Sequence, residues 1–64
     1  MNNEELTVLQ TKDLQEYLGI GKDKAYALMR SEGFPSIRIG KQYIITMLNL
    51  KNWLNDNIGK TIIV

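Results

Sequence analysis

Lys22, Lys24, Tyr26 and Arg30 fall within nine residues, and Arg38, Lys41 and Gln42 follow within the next twelve. Long basic stems and hydrogen-bonding tips at this density suit one kind of chemistry, the gripping of an extended anion. Bond-making chemistry is poorly served. The chain has no histidine and no cysteine, so it lacks the commonest general base, a thiol nucleophile and the usual zinc ligands. Asp13, Glu16, Asp23 and Glu32 form no close acid–base pair, and there is no glycine-rich phosphate loop. The sequence therefore predicts a binding protein, with no enzyme activity, no cofactor and no metal-stapled finger.

The net charge of +1 says little about a partner, but its distribution says more. Residues 1–20 carry Glu4, Glu5, Asp13 and Glu16 against Lys12, a balance of −3. Residues 21–41 carry Lys22, Lys24, Arg30, Arg38 and Lys41 against Asp23 and Glu32, or +3. One central block thus holds the positive charge, as expected if one face meets phosphate and another meets water. The leader has acids where a signal peptide needs bases, and no run approaches the ~20 apolar residues of a membrane span. The expected setting is the cytoplasm, with no membrane partner.

The basic residues need elements to carry them. At 64 residues and 44% apolar content the chain predicts one small domain over 1–64: a polar leader, a core at about 9–57 and an apolar tail at 60–64. Leu6 to Leu9 reads as an extended segment lying against the domain. Thr11 is the expected N-cap of a first helix whose Leu14, Tyr17 and Leu18, at i, i+3, i+4, make an inward stripe. Gly19 ends that helix, Ile20 plugs the angle of a tight turn, and Gly21 caps a second helix running from about Lys22 to Ser31.

In the second helix Ala25, Leu28 and Met29 face inward. Asp23, Ala27 and Arg30 then centre the opposite face, with Lys22, Lys24 and Tyr26 on its flanks. Gly33-Phe34-Pro35 stops it. From Ser36 the period changes to two. Ile37 and Ile39, a glycine-containing connection at Gly40, and Tyr43-Ile44-Ile45 predict a hairpin of open loop type. Thr46 is the expected cap of a third helix, Met47 to about Asn55, with Met47, Leu50, Trp53 and Leu54 inward and Leu48 off the stripe. Thr61 to Val64 reads as a last strand-like run whose role stays open among a strand added to the hairpin, a self-association edge and a cut end.

Two helices around a tight turn, followed by a hairpin, predict readout of double-stranded DNA. The second helix would enter a major groove, with Lys22 and Lys24 reaching phosphates or guanine edges and Tyr26 and Arg30 reaching phosphate or base. Ala27 would lie against a thymine methyl, while Asp23 would either accept from a cytosine amine or repel phosphate. Arg38, Lys41 and Gln42 would form a wing on the neighbouring backbone or minor groove, with Arg38 and Lys41 on phosphate. Each feature has a plainer alternative. The helix face could simply be solvated, and Lys41 could merely blunt a strand edge.

The run Leu18-Gly19-Ile20-Gly21-Lys22, then Tyr26-Ala27-Leu28-Met29-Arg30, Gly33-Phe34-Pro35, Ile37-Arg38-Ile39-Gly40-Lys41 and Trp53-Leu54, resembles the small winged helix-turn-helix domain of the excisionase and MerR-like family over residues 9–57. The resemblance implies an α+β fold of three helices and a β-hairpin wing, in which Lys22 to Arg30 is the major-groove reader and Arg38 to Gln42 the wing. Three positions depart from the family pattern: Gly21 replaces a hydroxyl cap, Gln15 replaces alanine, and Thr46-Met47-Leu48 replaces a proline and acidic start. Such proteins include excisionases, or recombination directionality factors, of phages and mobile elements. The expected partners are then DNA, an integrase or recombinase, and copies of the chain on adjacent sites, in a bacterial or phage-infected cell. A small transcriptional regulator is the alternative. A third reading, from another class, is a protein-interaction adaptor using Leu48 and the tail.

Overall fold

Residues 6–64 are described by a computed structural model, and the polar leader at residues 1–5 lies outside them. The chain forms β1 (Val8–Gln10), α1 (Thr11–Leu18), α2 (Lys22–Arg30), β2 (Ile37–Ile39), β3 (Gln42–Thr46) and α3 (Met47–Asp56). All strand pairs are antiparallel, in the order β1-β3-β2. This is a winged helix-turn-helix, with β2 and β3 as the wing hairpin. The extended segment of the leader region is more than a loose cover. Val8 pairs with Thr46 and Gln10 with Ile44, so it is a full third strand.

That pairing moves the start of α1. The chain is extended through Gln10, which takes the cap position at φ −91° and ψ 174°, and Thr11 becomes the first helical residue and is buried. The expectation that Thr11 caps the helix is therefore corrected. The amide of Gln10 donates instead to the Asp13 carboxylate at 2.9 Å, where an acid also suits the positive end of the helix dipole. Leu14 is fully buried and Leu18 packs on the core, but Tyr17 is 52% exposed. Tyr17 thus sits at the edge of the stripe, half-exposed as its phenol hydroxyl requires.

Gly19 adopts φ +67°, a left-handed conformation that ends α1 and that a side chain would strain. Ile20 then packs against the core from within the turn, as its apolar character predicts. In α2 Ala25, Leu28 and Met29 are buried. The helix ends at Arg30, one residue before the expected Ser31, whose hydroxyl donates to the Leu28 carbonyl at 2.7 Å. Ser36 donates to the Met29 carbonyl at 2.6 Å, a carbonyl the helix end leaves free, while the Leu28 carbonyl also accepts from the Ser31 amide. Phe34 is buried edge-on to Trp53, with ring centroids 4.8 Å apart.

Residues opposite one another in a ladder share a face. Leu9 pairs with Ile45 and both are buried, which puts Tyr43 and its partner Arg38 on the same side. Ile37 and Ile39 consequently point outward, at 49% and 61% exposure. The hairpin turns through Gly40 and Lys41, with Ile39 opposite Gln42. Gly40 has φ +62° and Lys41 a negative φ, the arrangement of a type II′ turn.

On α3 Met47 and Leu50 are buried, Trp53 and Leu54 pack against the core, and Leu48 is left 40% exposed. The helix runs to Asp56. Its cap is the expected one: the Asn49 amide donates to the Thr46 hydroxyl at 3.2 Å. Thr46→Ala should therefore cost about 1 kcal/mol in thermal or urea unfolding, while Thr46→Ser stays close to the parent. The tail 61–64 is not a strand. Ile62, Ile63 and Val64 line an open groove with Leu18, Ile20, Leu28 and Trp53, and all three stay exposed, so the tail adds no strand to this sheet. No helix among the described residues is long and apolar enough to cross a membrane.

Candidate nucleic-acid interface

Once Ala25, Leu28 and Met29 are turned inward, helix geometry leaves the opposite face of α2 to solvent. Lys22, Asp23, Lys24, Tyr26 and Arg30 are all exposed there, and Ala27 is half-buried between them. A short side chain at the middle of such a face lets another surface approach closely. Tyr26 and Lys24 lie on opposite flanks, about 160° apart around the axis at 100° per residue. The rest of the fold then gives the two flanks different neighbours.

On the Tyr26 flank an open groove of about 470 Å³ separates α2 from the wing. Thr11 and Lys12 contribute from the start of α1, Tyr26 from α2, and Lys41, Gln42 and Tyr43 from the hairpin. Gln10 lines it as well, carried there by its pairing with Ile44. Lys24 faces elsewhere, into the apolar groove that contains Trp53 and the tail. Of the residues singled out in the sequence, the structure thus gathers Tyr26, Lys41 and Gln42 on one groove, with Lys22, Asp23, Ala27 and Arg30 on the adjoining surface of α2. Lys24 is set apart.

The wing tip is braced from inside. Arg38 donates from Nε to the Gly40 carbonyl at 2.9 Å, and its guanidinium lies 5.6 Å from the centroid of the Tyr43 ring. That cation–π contact and the turn hydrogen bond tie the Arg38 side chain to the opposite strand and to the turn that carries Lys41. Arg38 is in this sense a bracing residue that keeps its remaining donors for solvent or a ligand.

Lys12, Thr11, Gln10 and Tyr43 were not singled out as site residues in the sequence. Their place depends on β1, whose pairing partner is more than thirty residues away. No local spacing signals it. All seven lining residues are neutral or cationic, and Asp13, next to Lys12, is engaged by the Gln10 amide and does not line the groove. The surface offers donors and positive charge to a ligand wide enough to touch both a helix and a hairpin.

A family model described as a helix-turn-helix domain matches residues 8–58. No curated protein and no solved structure matches the chain.

Proposed function

The chain belongs to this helix-turn-helix family of small excisionase-like DNA-binding domains, and we propose that within it the protein is an architectural DNA-binding factor of excisionase type, serving a phage or mobile element. Sequence-specific binding of DNA is the function that membership supports. In the proposed complex α2 enters the major groove. Lys22 and Arg30 bind phosphates or guanine edges, Tyr26 contacts backbone or base, Ala27 permits close approach, and Asp23 accepts from a cytosine amine. Lys41 and Gln42 engage the adjacent backbone from the wing, with Arg38 holding the tip. Lys24, on the far flank, reaches only outlying phosphate.

The observation that carries this reading is the shared groove, which fixes Tyr26 of α2 and Lys41 and Gln42 of the wing around one concavity. Helix and hairpin are therefore held as one surface. The domain measures 36 × 32 × 20 Å, so one copy spans about one turn of duplex, roughly 34–36 Å. A single module of this kind buries about 600–1,000 Å² on DNA, too little for tight binding without neighbours. Copies on adjacent sites, or a bound integrase, would supply the missing affinity by raising the effective concentration.

The test is a bending assay on the selected duplex together with an excision reaction driven by the integrase of the same element. The expected result is a bent complex and excision stimulated at least about tenfold, the size of a coupling near 1.4 kcal/mol. Binding with neither bending nor stimulation overturns the excisionase role and favours a simple transcriptional regulator.

A further inference from the structure

We infer that the groove between the start of α1, the middle of α2 and the wing seats one backbone phosphate of the duplex, and that Lys12 is its second cationic ligand opposite Lys41. The inference rests on the duplex binding proposed above and adds α1 to the contact surface. Lys12 is exposed and lines the groove from the start of α1, and Lys41 lines it from the hairpin turn. Two ammonium groups on flexible stems suit an anion of undirected geometry, a phosphate more than a planar carboxylate. The hydroxyls and amides of Thr11, Tyr26 and Gln42, which share the groove, are of the types that complete a phosphate's hydrogen bonds.

The ligand is a phosphodiester of DNA and not a free anion because of where the groove lies. It is open to solvent along its length and sits between the helix that reads the bases and the hairpin that meets the next stretch of backbone. A strand passing from one to the other crosses it. A phosphate held there carries no sequence information. Its role is to fix the register between α2 and the wing, which makes Lys12 a positioning residue.

The experiment uses the full chain and a duplex selected for binding. Lys12→Ala should weaken every duplex alike by about five- to tenfold and flatten the slope of log affinity against log salt, by up to the ~0.9 of one whole phosphate contact. Lys12→Arg should restore both. A scan of single methylphosphonate substitutions, each removing one phosphate charge, should find one position that weakens Lys12→Ala and Lys41→Ala each less than the wild type. The same position should leave the variant carrying both substitutions unchanged. The unfolding midpoint of Lys12→Ala serves as the fold control and should match the parent. If the slope and affinity of Lys12→Ala equal those of the wild type while Lys22→Ala still weakens binding, the phosphate seat is refuted and the DNA reading stands. If inorganic phosphate alone competes as well as duplex, the site is one for free anions and the inference also fails. A wild type whose affinity ignores salt removes the DNA reading itself.

Discussion

Leu50→Ala is expected to lower the unfolding midpoint by at least about 10 °C and to leave a large share of the chain unfolded at 37 °C. Leu50 is fully buried on α3 and belongs to the same cluster as Leu14, Met29, Phe34 and Ile45. Removing its branched end forfeits transfer energy and leaves a cavity, together about 2–5 kcal/mol. A domain of 64 residues has only about 3–10 kcal/mol of stability in all, at 0.05–0.15 kcal/mol per residue. One truncation thus consumes a large part of it. Leu48→Ala is the matched control: same helix, same chemistry, but 40% exposed and absent from the cluster. It should cost less than about 1 kcal/mol. Equal losses at the two positions, read by urea unfolding at constant slope, would mean that α3 does not bury the face described.

The largest effect on binding is expected from Lys22→Ala combined with Arg30→Ala. These two cations stand eight positions apart on the exposed side of α2, about 12 Å along the helix at 1.5 Å per residue. Each contact to a phosphate or guanine edge contributes roughly 1–3 kcal/mol. Losing both should weaken the selected duplex at least about thirtyfold. Lys24→Ala provides the contrast, because Lys24 shares its groove with Trp53 and the tail and not with the wing. Its loss should stay below about threefold, within the range of a peripheral charge. A Lys24 effect as large as the double variant's would place the DNA on the other flank of α2.

The contrast between Lys22 and Lys24 shows how far the sequence carries. Apolar spacing locates α2 and names its inward stripe, and simple angular counting then lists the outward residues. It does not say on which flank the wing lies. That depends on how β2 and β3 return beside the helix pair, a long-range matter. The same limit explains β1. Three residues of strand have no periodic signal of their own, and only the ladder from Val8–Thr46 to Gln10–Ile44 reveals them. Two further features follow from that one pairing: Gln10 replaces Thr11 as the helix cap, and Lys12 comes to rest on the groove. Local signals were reliable where the responsible atoms lie within a few residues, as with the Thr46 cap, the Gly19 turn and Ile20 packed against the core. Alternation at Ile37 and Ile39 correctly paired residues by face, but which face is inner was decided by Leu9 and Ile45 across the sheet. The tail misled for a related reason. Ile62, Ile63 and Val64 have strand-like composition, yet the sheet takes its third strand from β1, and the tail lies as irregular chain beside Leu28 and Trp53.

Duplex affinity of the wild-type chain measured across salt concentration tests the central claim most directly, that α2 and the wing form a single cationic surface for DNA. With Lys22 and Arg30 each neutralising a phosphate and Lys12 and Lys41 sharing a third, log affinity should fall against log salt with a slope of about −3. A slope indistinguishable from zero would contradict the account.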